Sequence, residues 1–406
     1  MPDFARSADP AVQAELDRLH LLSPGADVLG LERITALLVA LGRPQDELPP
    51  VLHVAGTNGK GSTCAILRAG LEAAGHRVHL FTSPHLVRFN ERIRIAGKLV
   101  DDAELADLLR EVRMASGDIG PSFFEATTAA ALLAFARHPA DACVIEVGLG
   151  GRLDATNVID RPLVCAIASV GHDHEQFLGS DLAGIAAEKA GIARRGVPLV
   201  ALAQPDEAQA AIIRVADEIG APLHLEGRDW AIDPSLVPAL PGPWQVRNAN
   251  LAWQTLAAQD TLHVSLEQFR AGVGKAQWPA RFQRLGDGPL TEGVETWLDG
   301  AHNPDAAAAL ATLLAGRAPM HLVVGILANK DAERIVAALV PNAASLTFVP
   351  VPGHDHHDPA SLAARFGGRA ALSLEDALAD LPAPRLIVGS LYLAGLALAL
   401  NGEQPD

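Results

Sequence analysis

The sequence feature that most restricts the fold is a glycine-rich loop, VAGTNGKGST, at residues 54–63. An apolar, β-branched run precedes it and a helical pattern follows it, which is the context in which such loops bind phosphate groups. Its spacing departs from the common pattern G-x-x-x-x-G-K-[ST], because only two residues separate Gly56 from Gly59 and Gly61 stands between Lys60 and Ser62. The loop therefore predicts a strand–turn–helix unit and leaves open which class of nucleotide-binding protein it represents.

The residue types in this loop favour phosphate binding over a simple strand-to-helix turn. Glycines let the backbone approach phosphate oxygens, a helix N-terminus supplies N–H donors, and Lys60 adds a cation. Ser62 or Thr63 offers a hydroxyl to Mg²⁺. A simple turn needs about one glycine and has no use for a lysine between two of them.

Short apolar runs alternate with helical patterns along the chain. The strand-like runs lie at 51–56, 77–81, 143–148, 163–170 and 198–203. A second set begins with WLDGAHNP at 297–304 and continues at 321–327, 345–351 and 385–391. Helical patterns separate them, for example at 62–75 and at 181–193, where Asp181 is a predicted N-cap. This alternation predicts an α/β fold with doubly wound, mainly parallel sheets.

The length predicts more than one domain. A chain of 406 residues exceeds the size at which single cores stop growing, roughly 250 to 300 residues. A Gly- and Pro-rich segment at 278–293 separates the two sets of strands. We therefore predict an N-terminal P-loop domain at 1–284 and a smaller C-terminal Rossmann-like domain at 292–406, with the boundary near 285–291.

Charge and cysteine usage narrow the class of protein. A net charge of -16 opposes binding to a nucleic-acid backbone. The start of the chain lacks a basic segment followed by an apolar one, and no run of about 18 apolar residues occurs, so we expect a cytoplasmic protein that does not enter membranes. Cys64, Cys143 and Cys165 lack metal-type spacing and are expected to be buried, reduced thiols.

Acidic and histidine residues at the predicted strand ends are candidates for a metal site. Glu146 stands where a buried strand would normally carry valine, and burial of a carboxylate is costly unless a metal or another cation compensates it. A structural salt bridge is the alternative. Asp173 and His174 follow the next strand. A lone histidine is often structural, so both metal ligation and a structural role stay open for His174.

Other polar residues carry weaker signals. Lys189 falls on a predicted helix, where the pattern alone assigns it no task. Asp299 and His302 follow the first strand of the second domain, at the sheet edge where α/β proteins bind ligands. The residues from Asn303 onwards would cap the next helix in a purely structural interpretation. The tract GHDHHDP at 353–359 favours a solvated loop over a metal site.

An ordered set of motifs covers nearly the whole chain. The set comprises LGLERI at 29–34, HVAGTNGKGS at 53–62, FTSPHLVRFNERI at 81–93, SFFEATTAAAL at 122–132, IEVGLGGRLDATN at 145–157, DHEQFLG at 173–179, EKAGI at 188–192, DGAHNP at 299–304 and GSLYLAG at 389–395. It resembles the folylpolyglutamate synthase and dihydrofolate synthase family of the Mur ligase superfamily. The phosphate loop of that family has the shortened glycine spacing and the extra glycine after the lysine.

The resemblance implies ATP-driven amide formation. A substrate carboxylate attacks the γ-phosphate of ATP, and the acyl phosphate then reacts with the amine of L-glutamate. The implied partners are dihydropteroate, reduced folates and L-glutamate, with ATP as a substrate and two Mg²⁺ ions, while a monovalent cation is left open. In such a reaction the protein mainly positions groups and neutralises charge. A monomer is expected from the family.

The resemblance also implies site residues, carried over position by position. The ATP-binding positions are Thr57, Asn58, Gly59, Lys60, Gly61, Ser62, Asn248, Arg281 and Asp299. The Mg²⁺ positions are Ser62, Ser83, Glu146, His174 and Lys189, the last of which is carbamylated in similar enzymes. The pterin positions are Leu29, Phe124, Asp154 and Ala155, the glutamate candidates are His85 and Arg88, and the implied catalytic residues are Lys60, Lys189 and His302.

Four of these positions have specific implied tasks. Asn248 matches the asparagine near adenine, and Arg281 matches an arginine that reaches a nucleotide phosphate from the domain junction. Asp299 and His302 match the contribution of the second domain to the ribose and the reaction centre, so domain closure would complete the site. The chain departs from the family pattern by carrying Ala280 in place of glycine. A second departure is Asn329, where an acidic residue is usual; neither removes an implied ligand.

Alternative functions remain at this stage. Another Mur-type ligase would share the ATPase motifs, but the stretches at 29–34, 81–93 and 122–132 match the folate branch. A nucleotide-gated switch would hydrolyse ATP without dependence on an amino acid. Within the folate branch the chain could add the first glutamate, extend the chain, or do both, and we predict a bifunctional enzyme.

Overall fold

The computed structural model describes residues 6–22 and 29–405. The chain forms two compact units, of which the first comprises residues up to Ala239 together with Gln245–Gln277. The second comprises Leu240–Trp244 and the residues from Trp278 onwards. The sequence-based boundary at 285–291 lies within this second unit. The limits 1–284 and 292–406 stay a proposal for separately folding domains, and the second sheet argues for an earlier start.

The first unit is built on an eight-stranded sheet, as far as the described residues show. Its strands are β1 (Val51–Ala55), β2 (Val78–Phe81), β3 (Ile93–Ile95), β4 (Lys98–Leu99), β5 (Ala142–Glu146), β6 (Val164–Ile167), β7 (Leu199–Ala201) and β8 (Leu223–Leu225). They lie in the order β4-β3-β2-β5-β1-β6-β7-β8. The neighbouring strands in the run β2-β5-β1-β6-β7-β8 are parallel. At the other edge, β3 pairs antiparallel with β2, and β4 pairs antiparallel with β3.

Helices cover both faces of this sheet. They are α1 (Pro10–Leu22), α2 (Glu32–Ala40), α3 (Lys60–Ala73), α4 (Asp102–Ser116), α5 (Phe123–Arg137), α6 (Glu175–Leu178), α7 (Leu182–Ala190), α8 (Asp206–Ile219), α9 (Pro243–Ala257) and α10 (Leu266–Val273). On one face, buried side chains of α1, α2, α4 and α5 pack with Phe81 and Ile145, and those of α7 and α8 pack with Cys165 and Ile167. On the other face, α3 contacts β1, β2 and β5 and is itself packed against α10. Strands buried on both faces explain the continuous apolar runs in the sequence.

The second unit has its own sheet and helices. Its strands are β9 (Gln283–Arg284), β10 (Thr296–Leu298), β11 (Met320–Val324), β12 (Ala343–Phe348), β13 (Arg369–Ala370) and β14 (Arg385–Val388). Its helices are α11 (Pro304–Leu314), α12 (Ala332–Leu339), α13 (Pro359–Phe366), α14 (Leu374–Leu378) and α15 (Leu391–Leu400). The strand order is β13-β12-β11-β14-β10-β9, and among the described pairs of this second sheet only β9–β10 is antiparallel.

The predicted α/β fold with two parallel-rich sheets is confirmed. The Asp181 N-cap is confirmed as well, because its carboxylate accepts the N–H of Gly184 at 2.9 Å. The edge strands β3, β4 and β9 were not predicted from the sequence, because they span only two or three residues and include charged side chains. Among the described residues no helix is both long and apolar enough to cross a bilayer.

Candidate active site

The topology of the first sheet brings distant residues to one edge. Strands β2, β5, β1 and β6 are parallel neighbours, so the loops after their carboxyl ends lie side by side. Ser83 follows β2, Glu146 ends β5, the glycine-rich loop follows β1, and His174 lies beyond β6. Ligands of open α/β sheets bind at this edge.

The glycine-rich loop is held against the loop that follows β6. The N–H groups of Thr57 and Asn58 both donate to Ser169 O, at 2.7 and 3.2 Å. Gly59 has φ +89°, in the left-handed region, and α3 begins at the next residue. A Cβ on Gly56 would lie 2.9 Å from the Cβ of Ala168. The loop therefore needs glycine at both positions, and it places the donor end of α3 at the sheet edge.

Glu146 and Lys60 form the charged centre of this edge. Lys60 Nζ lies 3.9 Å from Glu146 Oε1 and donates to Thr57 O at 3.3 Å. The Glu146 side chain is 5% exposed, and its Oε2 accepts the N–H of Ser83 at 3.3 Å. The buried carboxylate thus has the cationic compensation that the sequence required. Low exposure strengthens these charge interactions.

Lys189 is buried on α7, unlike the solvated lysine typical of a helix. Its Nζ donates to Gly56 O at 3.1 Å, directly behind the phosphate loop. Burial lowers the pKa of Lys189 to about 7; the Lys60 cation also lowers it, whereas Asp173 and Asp154 oppose the shift. The amine is therefore partly uncharged near neutral pH.

The oxygen donors at this edge suit Mg²⁺, which prefers hard ligands and retains water. Ser62 is buried in the first turn of α3, and Ser83 reaches the Glu146 carboxylate through its own N–H. Across residues 6–22 and 29–405, no three His, Cys, Asp and Glu side chains converge as a preformed metal site. Two hydroxyls and one carboxylate therefore fit a cation that arrives with nucleotide phosphates and water.

His174 is the N-cap residue that precedes the short helix α6, and it is partly exposed. Its backbone N–H donates to Asp173 Oδ1 at 2.8 Å, and its Nε2 lies 4.0 Å from Asp173 Oδ2. Its φ of +53° places it in the left-handed region. His174 and Asp173 thus lie on the same loop. The Asp173 carboxylate is also close enough to Lys189 to oppose the lowering of the lysine pKa.

Asp154 shapes the loop that contains the predicted pterin positions. Its Oδ1 accepts the N–H and the hydroxyl of Thr156, at 2.9 and 2.5 Å, and its Oδ2 accepts the N–H of Leu149 at 2.9 Å. Burial raises the pKa of Asp154, and these donors oppose the rise. The carboxylate is therefore engaged by its own loop, which holds Ala155 at the start of a 3₁₀ turn.

A partly buried ion pair joins α2, which follows Leu29, to α5, which contains Phe124. A Cβ on Gly148 would lie 2.3 Å from Phe124 Cζ, so the ring of Phe124 rests on the backbone of that glycine. Leu29 precedes α2, whose Arg33 donates to Glu125 at 3.0 Å. Glu125 is the residue after Phe124, so the structure brings both predicted pterin elements together.

The loop with the two glutamate candidates is organised by Glu91. Its carboxylate accepts the N–H groups of Leu86, Val87 and Arg88 at 2.8, 2.8 and 2.7 Å. His85 Nδ1 accepts the Nε–H of the buried Arg92 at 2.9 Å, which places the proton of a neutral His85 ring on Nε2.

In the second unit, Asp299 and His302 lie at the carboxyl end of β10. Asp299 accepts the N–H of Phe282 at Oδ2 and that of Ala301 at Oδ1, both at 2.8 Å. Burial raises the pKa of Asp299, and the Arg281 cation opposes the rise. His302 Nδ1 lies 2.8 Å from Gly300 O, so Nδ1 carries a proton and donates it to that carbonyl oxygen.

Arg281 stands between two residues with left-handed backbone conformations. Ala280 has φ +55° and Phe282 has φ +43°. Arg281 Nη1 donates to Ala280 O at 2.9 Å, and Gly300 N–H donates to the same oxygen at 2.9 Å. The glycine that the family carries in place of Ala280 would adopt this backbone without strain.

The histidine-rich tract forms a loop of the second unit, as predicted. His357 Nε2 lies 2.9 Å from Lys330 O, His356 Nδ1 lies 2.7 Å from His354 O, and the ring of His354 stacks on Tyr392 with centroids 3.8 Å apart. Each of the three imidazole rings thus has a different partner.

The cysteine prediction and the structural interpretation of Asn303 are confirmed. All three thiols are buried and form no disulfide, and burial raises the pKa of each. Asn303 caps α11 by accepting the N–H of Ala306 at 2.9 Å.

Sequence reasoning missed two polar residues beside the site, the partly buried Glu91 and the buried Gln245. The Glu91 carboxylate accepts backbone N–H groups, and such contacts leave no pattern of residue types in the sequence. Gln245 donates to Ser62 Oγ at 3.3 Å and accepts from Asn248 at 2.9 Å. The spacing of three between Gln245 and Asn248 on a predicted helix was an available signal, because such residues share a face.

The chain is similar to known proteins over most of its length. Residues 280–383 match the family described as Mur ligase, glutamate ligase domain. Folylpolyglutamate synthase from Lacticaseibacillus casei is 37% identical over 401 residues, covering 89% of this chain and 92% of the relative. The structure of E. coli FolC in complex with DHPP and ADP is similar with a TM-score of 0.87 and 33% identity, covering 97% of this chain and 98% of that one.

A third similar protein carries ligands that bear on the reaction. It is a bifunctional folylpolyglutamate synthase/dihydrofolate synthase solved with Mn, AMPPNP and L-glutamate bound. The TM-score is 0.86 with 34% identity, and the match covers 97% of this chain and 99% of that one.

Proposed function

Because the chain belongs to the folylpolyglutamate synthase and dihydrofolate synthase family, we propose that it is an ATP-dependent ligase for L-glutamate. The acceptors are the carboxyl group of dihydropteroate and the γ-carboxyl group of reduced folates. The observation that supports this most is the convergence of Lys60, Glu146 and Lys189 on the phosphate loop. The ligands of the similar structures, a nucleotide, a divalent metal, DHPP and L-glutamate, match these substrates.

The reaction proceeds in two steps. An oxygen of the substrate carboxylate attacks the γ-phosphorus, the bond to the β–γ bridging oxygen breaks, and ADP leaves. The glutamate nitrogen then attacks the acyl carbon, loses a proton, and displaces inorganic phosphate. Negative charge is redistributed in the first step. It is stabilised by Lys60, by the N–H groups of the loop and by the N-terminus of α3. Asn248 and Arg281 keep the adenine and phosphate roles that the resemblance implies.

Ser62, Ser83, Glu146 and His174 would hold Mg²⁺, which supplies further charge neutralisation at the phosphates. Lys189 contributes differently. A lysine with a pKa near 7 has a substantial uncharged fraction at neutral pH, and an uncharged amine attacks CO₂ to form a carbamate with loss of a proton. We include carbamylation of Lys189 in the proposal, since it would turn a buried cation into an anionic oxygen ligand for a second Mg²⁺.

His302 suits the proton transfer of the second step. Its Nδ1 donates to Gly300 O, which orients the ring, and we assign His302 to the transfer of a proton from the glutamate ammonium group. We assign pterin contacts to Leu29, Phe124 and Ala155. Asp154 acts there by holding its loop, because the loop's own donors occupy its carboxylate.

His85 and Arg88 remain the candidates for the carboxylates of L-glutamate. Their loop follows Ser83 and is held in one conformation by Glu91. A neutral His85 offers its Nε2 proton, and Arg88 offers a guanidinium group that suits a carboxylate.

The test is ATP-dependent phosphate release by the purified protein with Mg²⁺ and L-glutamate. Dihydropteroate is added in one reaction and tetrahydrofolate in another, and mass spectrometry identifies the glutamylated products. Stimulation and product in both reactions support the bifunctional proposal. Stimulation in one reaction restricts it to that step. Hydrolysis independent of L-glutamate would favour a nucleotide-gated switch instead.

Two variants test the residue assignment. Lys60→Ala and Glu146→Ala should each lower glutamate addition by at least about 10²-fold, in line with the loss of a charge-stabilising group at a reaction centre. Lys275→Ala, which changes an exposed lysine of the same unit, should keep wild-type turnover. Normal turnover in either site variant contradicts the assignment.

We also propose that the protein acts as a cytoplasmic monomer, as the family resemblance implies. Light scattering coupled to size-exclusion chromatography measures the mass directly, and a mass near 42.5 kDa is expected for the monomer.

A further inference from the structure

We propose that Gln245 is a positioning residue that orients the Ser62 hydroxyl for the nucleotide-bound cation and couples it to Asn248 on the nucleobase side. This inference rests on the proposed function, because it assumes that the phosphate loop binds a magnesium nucleotide. Nothing in the resemblance assigned a task to Gln245.

The contact is buried and lies next to the phosphate loop. Gln245 is 0% exposed and lies near the start of α9. Its Nε2 donates to Ser62 Oγ at 3.3 Å, and its Oε1 accepts from Asn248 Nδ2 at 2.9 Å. Gln245 and Asn248 are three residues apart on one helix, so both amides project from the same face. One side-chain amide therefore joins the first turn of α3 to Asn248.

The contact with Gln245 determines which hydrogen-bonding groups of the Ser62 hydroxyl stay available to a ligand. A serine hydroxyl has one proton and two lone pairs. The Gln245 N–H occupies one lone pair, which leaves one lone pair and the proton. A metal ion takes a lone pair and a phosphate oxygen takes the proton, so the remaining groups are those that a magnesium nucleotide needs. Gln245 thereby restricts the rotation of a hydroxyl that would otherwise have several orientations.

The other end of the amide pair fixes Asn248. Because Asn248 Nδ2 donates to Gln245, its Oδ1 faces away from Gln245 and lies against the loop. A Cβ added to Gly59 would lie 2.6 Å from Asn248 Oδ1, which shows how closely the side chain approaches the loop backbone. A shift of Asn248 upon nucleobase binding would thus reach Ser62 through a single side chain.

The experiment measures how much Mg²⁺ strengthens nucleotide binding. Calorimetry gives the Kd of ADP with Mg²⁺ and with EDTA, and the ratio of the two values is the magnesium factor. Gln245→Met keeps the volume and removes both hydrogen bonds. We expect its magnesium factor to fall roughly three- to tenfold, the range for a buried hydrogen bond. A residue with a merely structural role would weaken binding in both buffers and leave the factor unchanged.

Two controls make the result specific. Gln254→Met changes a partly exposed glutamine on the same helix and should keep the wild-type factor. In a Ser62→Ala background, Gln245→Met should cause no further fall, because its effect acts through the Ser62 hydroxyl. A further fall in that background contradicts the inference.

Each remaining outcome also decides the question. An unchanged magnesium factor in folded Gln245→Met protein overturns the inference, and so does an equal loss of affinity in both buffers. Gln245→Asn keeps an amide but is one methylene shorter, and it replaces the methionine variant if that protein does not fold. If the wild-type protein does not bind ADP in either buffer, the proposed function itself fails.

Discussion

At the scale of single residues, burial gives Lys189 a chemistry that its helical position does not suggest. Its amine lies behind the phosphate loop and donates to Gly56 O, and burial lowers its pKa to about 7. A lysine on a solvated helix face would stay charged up to a pH near 10.4. The tertiary environment therefore determines whether this residue is a spectator or a functional group.

The stability of the protein should depend on this amine at alkaline pH. Between its folded pKa of about 7 and its ordinary value of 10.5, the unfolded chain holds a proton that the folded chain has released. The free energy of unfolding should therefore rise with pH in this window, by at most about 1.4 kcal/mol per pH unit. Lys189→Met should remove this rise.

Urea unfolding in CO₂-free buffer, at about pH 7.5 and about pH 9, measures the effect within this window. Lys275→Met changes an exposed lysine and should keep the wild-type rise. The same rise in Lys189→Met as in the wild type would contradict the assignment of the shift to Lys189.

A second residue-scale prediction concerns the backbone strain at Ala280. A non-glycine residue in the left-handed region costs about 1 kcal/mol, and Ala280 has φ +55°. Ala280→Gly relieves this strain and should therefore cost about 1 kcal/mol less than Ala397→Gly, where a buried alanine has the helical backbone of α15. Urea unfolding of both variants gives the comparison. Equal losses would show that Ala280 stores no strain.

At the scale of elements, glycines allow the loop that contains Asp154 and Ala155 to pack closely against α7. A Cβ on Gly151 would lie 2.7 Å from Glu188 O, and a Cβ on Gly191 would lie 2.4 Å from Arg152 Cβ. Arg152 N–H donates to Glu188 O at 2.8 Å, and Arg194 Nη2 donates to Asn157 O at 2.8 Å. The loop that holds Asp154 and the helix that holds Lys189 therefore keep one relative position.

Gly191→Ala should disturb this fit by steric overlap alone. Gly191 has φ -63°, which alanine adopts readily, so only the approach of Arg152 opposes the methyl group. We expect a loss of about 1 to 3 kcal/mol in the free energy of unfolding and a raised KM for dihydropteroate.

Gly274 provides the matched control, because it ends α10 with φ -66° and its nearest atom lies 3.6 Å from an added Cβ. Gly274→Ala should be neutral or stabilising, since alanine reduces the freedom of the unfolded chain. Similar losses in both variants would show that the overlap at Gly191 is not the cause.

At the scale of the whole molecule, the sequence contains one phosphate loop, and the proposed pterin positions form one set beside it. Two glutamylation steps on different acceptors must therefore use the same site in turn. Both activities then depend on whether that one site can bind dihydropteroate as well as reduced folates. A second catalytic centre is unnecessary.

Dihydropteroate and tetrahydrofolate should consequently compete. Each should raise the KM of the other and leave the extrapolated maximal rate of that reaction unchanged, as measured by following each product separately by mass spectrometry. Noncompetitive inhibition would instead indicate two acceptor sites.

The sequence by itself determined the fold class and the charged centre of the site. Apolar runs that are buried on both faces must become parallel strands covered by helices, and polar residues at their ends must then meet at one edge. Lys60 and Glu146 were predictable for this reason, because a buried carboxylate requires a cation. The caps at Asp181 and Asn303 were predictable as well, because a cap depends on residues within one helical turn.

Only the tertiary structure decided how the polar groups are partnered. Glu91 and Asp154 accept backbone N–H groups that every residue type except proline possesses, so no side-chain pattern marks them. Gln245 meets Ser62 across 183 residues, and Lys189 meets Gly56 across 133. Such contacts depend on distances and directions between separately formed elements, which periodicity along the chain does not contain.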